Sequence, residues 1–247
     1  MILEIQTKIN EWMPLTLQEV SCDGPELNLF GNEWSFSAIS AWRITQKNKL
    51  IVGSDDSADS LVSEILKDAI ITQVMPQTAD FPVDPTFWFA DGHKLEIFSD
   101  SSFDTWTFRI PNAPLYDFSI IDTQPMKPKK NESFLEIQSH LPLTVETSVY
   151  DSGCLILFGK NWSLTVPSSW RFVGGNNDFF GGAEQQGKDF IKEIKNIQII
   201  AVQAQTNDFL IDPVIFFSNN CQLELFTSST HLNWEFQLPS RKAIIGR

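Results

Sequence analysis

The sequence predicts an α+β fold built twice: two tandem copies of a domain in which an antiparallel sheet carries one main helix. Three observations lead to it. The chain repeats itself at an offset of 128 residues. Each copy alternates apolar and polar residues in short runs separated by turn residues. Each copy also contains one stretch whose apolar residues recur at helical spacing.

The repeat sets the organisation. Leu29-Phe30-Gly31, Trp34-Ser35 and Trp42-Arg43 recur as Leu157-Phe158-Gly159, Trp162-Ser163 and Trp170-Arg171. Gln77-Thr78, Asp80-Phe81, Asp84-Pro85 and Leu95-Glu96 recur as Gln205-Thr206, Asp208-Phe209, Asp212-Pro213 and Leu223-Glu224, and Trp106, Phe108 and Pro111 as Trp234, Phe236 and Pro239. A period above one hundred residues excludes solenoids and propellers. It divides the chain into a first repeat, 1–111, a connector, 112–133, a second repeat, 134–239, and a C-terminal tail, 240–247. The connector holds Pro114, Pro125, Pro128 and a basic run from Met126 to Lys130, which predicts extended chain. Phe118, Ile120 and Ile121 are too apolar for a free linker and predict packing on a domain. Matching Leu3-Glu-Ile-Gln to Leu135-Glu-Ile-Gln implies a four-residue loop insertion around Lys8 to Trp12 in the first copy.

Within each copy the elements follow in order. Leu15 to Val20, Glu26 to Phe30 and Glu33 to Ile39 alternate and are separated by Asp23-Gly24-Pro25 and Gly31-Asn32, which predicts a meander. Ser57 to Ala69 places Ala58, Leu61, Val62, Ile65, Leu66 and Ala69 on one stripe, with Ser54, Asp55 or Asp56 as candidate N-caps and acids in the first turn. Lys188 to Asn196 is its counterpart, with Phe190, Ile191 and Ile194. Strands resume at Ile70 to Met75 and Ile197 to Val202. Thr86 to Ala90 and His93 to Phe98 flank Asp91-Gly92, which predicts a hairpin closed by a two-residue type I′ turn, with Asn219-Asn220 as the second-copy turn. That register pairs Trp88 with Leu95. It puts Phe87, Phe89, Glu96 and Phe98, with Ile215, Phe217 and Phe226 in the second copy, on a face away from the helix-covered core, for which the other repeat or another chain is the expected cover.

Composition narrows the function classes. Hydrophobic residues make up 42% of the chain, enough for packed cores. The start, Met-Ile-Leu-Glu-Ile-Gln, has an acid where a signal peptide needs basic residues, and no apolar run approaches the roughly 20 residues of a membrane helix. A cytoplasmic protein without membrane insertion is expected. Cys22, Cys154 and Cys221 fall at unmatched repeat positions, which suits reduced thiols and not a disulfide framework fixed before duplication. The net charge of −13 is uneven: residues 1–124 hold 19 acids and 7 bases, residues 125–247 hold 12 and 11. The scaffold has stayed while the surface charge has diverged. Such a field opposes nucleic acid and suits a basic protein partner.

No residue cluster specifies catalysis or a bound group. Asp84 with Glu96, and Asp212 with Glu224, are paired carboxylates, but the expected register sends them to opposite faces, and capping or ion pairing explains them better than acid–base work. Trp42-Arg43 and Trp170-Arg171 could stack on an anion, yet the arginine is expected to meet a carboxylate such as Glu96. His93, His140 and His231 sit at unmatched positions without metal spacing. Gly174-Gly175 and Gly181-Gly182 lack the Lys-Ser/Thr of a phosphate loop. No cofactor, metal or enzymatic activity is expected.

The pattern Trp42-Arg43-Ile44, a short acidic helix, Ile71-x-x-Val74, Asp84-Pro85, Phe87, Asp91-Gly92-x-x-Leu95-Glu96-Ile97-Phe98 and a closing Trp106 resembles small bacterial α+β domains, some of which act as immunity proteins of polymorphic toxin systems. The resemblance covers Glu33 to Pro111 and Asn161 to Pro239 and implies a cytoplasmic bacterial protein that binds and blocks a toxin domain. It transfers no functional residues. The leading expectation is a non-catalytic protein-binding module of this kind, with Asp55, Asp56, Asp59, Glu64 and Asp68 facing a basic partner. The alternatives are a small-ligand or enzymatic site between the repeats, and a structural protein that self-associates through aromatic faces.

Overall fold

The computed structural model describes residues 7–77, 84–101, 105–110, 116–117, 134–151, 153–174, 179–182, 184, 191, 194–206, 211–240 and 242–246. It divides into two compact units: unit 1 comprises Met1–Ile121 with Ser228–Thr230, and unit 2 comprises Asp122–Thr227 with His231–Arg247. Of the described residues, 53% lie in strands and 9% in helices, and the strands form three antiparallel sheets. The fold is β-rich, which corrects the α+β expectation. Two causes account for the difference. The helical stripe yields only α1 (Asp59–Leu66), with Val62 and Leu66 buried, too short to form a layer. The stretch from Trp42 to Gly53 instead forms two strands, β4 (Trp42–Gln46) and β5 (Lys49–Gly53). Trp42, Arg43, Ile44 and Thr45 are all buried, with apolar Trp42 and Ile44 alternating with polar Arg43 and Thr45.

The remaining strands of unit 1 are β1 (Leu15–Asp23), β2 (Glu26–Gly31), β3 (Ser35–Ile39), β6 (Ile70–Pro76), β7 (Pro85–Phe89), β8 (His93–Ile97), β9 (Trp106–Arg109) and β10 (Tyr116–Asp117). They form one sheet of ten strands in the order β10-β9-β3-β2-β1-β6-β7-β8-β4-β5. The sheet turns a corner at β1. Leu15 and Thr16 pair with Ile71 and Ile70, while the rest of the strand pairs with β2 across a register slip between Leu17 and Glu19. The two halves close on each other through aromatic side chains: Phe36 of β3 meets Phe87 of β7 edge-on at 4.7 Å, and Phe108 of β9 stacks on Phe87 at 6.2 Å. Each such ring removed from water contributes about 1.5–3 kcal/mol.

Unit 2 follows the same plan through α2 (Leu135–Gln138), β11 (Leu143–Thr144), β12 (Thr147–Asp151), β13 (Cys154–Gly159), β14 (Trp162–Val166), β15 (Trp170–Val173), β16 (Phe179–Gly181), β17 (Gln198–Ala204), β18 (Pro213–Phe217), β19 (Gln222–Leu225), β20 (Trp234–Gln237) and β21 (Ala243–Gly246). The corner is sharper here. The counterpart of β1 is broken between Thr144 and Thr147, so the ribbon separates into β11-β17-β18-β19-β15-β16 and β12-β13-β14-β20-β21. Both units add an outer strand beyond the repeats as read from the sequence: Tyr116 pairs with Phe108, and Ile244 with Phe236. Part of the expected connector and part of the expected tail are therefore equivalent sheet strands. Phe118, Ile120, Ile121 and the basic run lie outside the described residues, as do Lys188, Phe190 and Lys192.

Several expectations are corrected in detail. The loop insertion around Lys8 to Trp12 is absent. A helical turn at residues 7–10 holds the place of α2, with Ile9 and Ile137 both buried. Asn10 clasps the Val74 backbone at 2.7 and 2.8 Å, and Gln138 donates to Val202 O at 2.8 Å. The offset of 128 thus holds from the first described residue, and the identity of Leu3–Gln6 with Leu135–Gln138 misleads. The helix starts at Asp59 after Ala58, with no side-chain cap. Asp68 at φ 54° and Asn196 at φ 67° take the left-handed conformation beyond the helical segments, which small polar side chains tolerate.

The hairpin is the most consequential correction. Phe87 pairs with Leu95 and Trp88 with Lys94, one residue away from the expected register. Gly92 N donates to Phe89 O, and only Gly92, at φ 86°, is left-handed, so the turn is a three-residue loop with a bulge and not a type I′ turn. Asn220 at φ 63° repeats this against Phe217 O. A slip of one residue exchanges faces. Phe87 and Phe89 enter the core with Val62 and Leu66, and Ile215 and Phe217 enter that of unit 2 with Ile194. The expectation that they form a separate face awaiting a cover is overturned. Phe98 and Phe226, also buried, lie 4.8 Å from the Arg43 and Arg171 guanidinium carbons.

Candidate functional site

Charged residues of each copy's hairpin region and its neighbours are buried: Arg43, Asp84 and Glu96, with Arg171, Asp212 and Glu224 as their counterparts, lie inside. Arg43 on β4 stands opposite Glu96 on β8, and Arg171 on β15 stands opposite Glu224 on β19. In each pair the arginine Nε donates to Oε2 at 2.6 Å. Arg43 and Glu224 are 0% exposed, and Gln222 Nε2 donates to the other oxygen of Glu224. The arginine expected to meet Glu96 does so. An ionised pair held this far from water survives because each charge is met by an opposite charge and by hydrogen bonds.

Asp84 and Asp212 serve the backbone. Their Oδ1 atoms accept the amides of Ser99 at 2.8 Å and Thr227 at 2.9 Å. Gln77 and Gln205 donate to Ile97 O and Leu225 O, both at 2.8 Å. The two carboxylates of each hairpin region thus hold separate partners, Asp84 an amide and Glu96 a guanidinium, and no acid–base pair is assembled from them. His93 Nδ1 lies 2.8 Å from Asp91 Oδ2 on the surface. Among the described residues no group of three or more His, Cys, Asp or Glu gathers as metal ligands would, and no helix is long and apolar enough to cross a membrane.

The five acids expected to face a partner fall into two sets. Asp55 and Asp56 lie in the turn between β5 and α1 and bond to Ser228–Thr230 within unit 1. Ser228 Oγ donates to Asp55 Oδ2 at 2.6 Å, and Ser229 Oγ and Thr230 Oγ1 donate to Asp56 Oδ1 at 2.9 and 3.0 Å. Desolvation raises the Asp55 carboxyl above its ordinary value, against the lowering from the Ser228 hydroxyl, and the Asp56 charge raises it further. Its contribution to stability is therefore present at low pH and lost as pH rises through the raised folded value, the reverse of a salt-bridged carboxylate. Asp59, Glu64 and Asp68 are exposed on α1 and its exit.

The structure adds two acids that sequence reasoning missed. Asp23 and Glu26 flank the turn between β1 and β2 and are exposed. Burial pushes the Cys22 thiol up to about 12, and the charge and hydrogen bond of Asp59, then the charge of Asp23, push it the same way. Asp23 on the sheet and Asp59 on the helix therefore act on one thiol from two elements. The exposed acids of the first unit thus include the β1–β2 turn as well as α1.

No family model, no curated protein and no solved structure matches this chain.

Proposed function

We propose that the chain is a non-catalytic protein-binding module whose first unit presents an acidic face to a basic protein partner, in the manner of an immunity protein that blocks a toxin domain. One observation carries the reading. Arg43 with Glu96, Arg171 with Glu224, Asp84 and Asp212 are engaged in internal bonds, whereas Asp59, Glu64 and Asp68 are exposed. At the positions equivalent to Asp59, Glu64 and Asp68 the second copy has Gly187, Lys192 and Asn196, so it carries none of these three acids. A concentrated negative field speeds encounter with a basic surface and covers a site built for phosphates.

The test uses the protein encoded beside this chain as the binding partner. Reversing Asp59, Glu64 and Asp68 to Lys is expected to lower the association rate at least tenfold at low salt, because these exposed charges set the long-range attraction. An unchanged rate would reduce the acidic face to a solvated surface.

A further inference from the structure

We infer that Ser228–Thr230 is a clasp that holds the turn leading into α1, with the Asp56 carboxylate as its anchor and the bare Cα of Gly53 as its seat. Ser228–Thr230 belong to unit 1. Those residues bind densely. Thr230 N donates to both oxygens of Asp56 at 3.0 Å, the hydroxyls of Ser229 and Thr230 donate to Oδ1, and Asp55 N donates to Ser228 O at 3.0 Å. The same Asp56 carboxylate accepts Gly53 N at 2.9 Å, and Asp56 N donates back to Gly53 O at 3.0 Å. One side chain thereby fixes both the turn and the segment lying on it.

Gly53 shows that the seat is fitted to its occupant. A Cβ there would fall 2.1 Å from Ser228 O and 2.4 Å from Ser228 C, both backbone atoms that cannot swing aside. The φ of Gly53 lies outside the left-handed range, so an alanine would meet no backbone strain of its own. The glycine is needed for the close approach alone. The same closure recurs in unit 2, where Gly181 N donates to Glu184 Oε2 at 2.6 Å at the positions 128 residues on. A carboxylate closing back on a glycine amide is thus a device kept in both copies.

For the partner face, the consequence rests on the reading proposed above: the clasp engages the Asp55 and Asp56 carboxylates and sets the lead-in of the helix that carries Asp59 and Glu64. The clasp itself is tested without any partner, so its failure and that of the acidic-face reading are distinguishable. Amide hydrogen exchange is measured on the full chain in three forms: unchanged, Gly53→Ala, and Ser229→Ala with Thr230→Val. The Asp55 amide is expected to exchange at least tenfold faster in Gly53→Ala and at least threefold faster in the double variant, while the β8 amides, which pair with β4 and β7, keep their protection. Unchanged Asp55 exchange in either variant overturns the clasp. If Gly53→Ala loses protection throughout, the double variant, which removes only two hydroxyl donors, decides alone.

Discussion

Arg171 and Glu224 face each other across adjacent strands with no water to share their charge. Removing one partner leaves the other buried and unmatched. Glu224→Gln is expected to cost about 3–5 kcal/mol, read as a lowered denaturation midpoint. Replacing both, Arg171→Met with Glu224→Leu, is expected to recover most of that loss, because an apolar pair needs no compensation. A double variant as unstable as the single one would show that the ion pair is favourable in itself. Cys22 offers a residue-scale test by pH. With its thiol pushed up to about 12, little thiolate forms at pH 8, and alkylation there is expected to run at least ~100-fold slower than for a free thiol of pKa about 8.5. Rates that rise steadily with pH beyond 9 fit the raised value; a plateau near pH 9 contradicts it.

At the scale of elements, the hairpin shows how one turn decides a face. A type I′ loop needs two left-handed residues, whereas the observed loop needs one, at Gly92 or Asn220. A Cβ at Gly92 meets nothing within 4 Å, so the demand there is purely conformational. Gly92→Asn is expected to cost less than about 1 kcal/mol because the second unit already places Asn in this conformation, and Gly92→Val about 1–2 kcal/mol or more, since β-branched residues resist it. Equal costs by thermal unfolding would place the loop's constraint elsewhere.

At the scale of the whole molecule, the excess of acid in the first half acts as a field and not as a set of contacts. The association rate with a basic partner is therefore expected to fall as salt rises, with the Debye length shrinking from about 10 Å at 0.1 M to about 3 Å at 1 M. The Asp59, Glu64 and Asp68 reversal is expected to flatten that dependence. A salt response identical in the reversed and unreversed chains would assign the field to other acids, with the exposed Asp23 and Glu26 next in line.

The sequence by itself determined the duplication, the turn positions, the buried Trp and Arg residues and the acidity of the first half. Those are properties of residue identity and spacing, which survive without coordinates. The meander strands were legible because one of their faces is buried and the other open, as in β2. Only the tertiary structure decided the rest. β4 buries its polar face as well as its apolar one, the α1 helix runs for only eight residues, and the hairpin register depends on a bulge that its Asp-Gly dipeptide does not specify. The bonds of Asp55 and Asp56 were not legible because their partners, Ser228 to Thr230, lie more than 170 positions away. Local spacing reports which face of an element a residue occupies. What comes to lie against that face is set by the path of the chain in three dimensions.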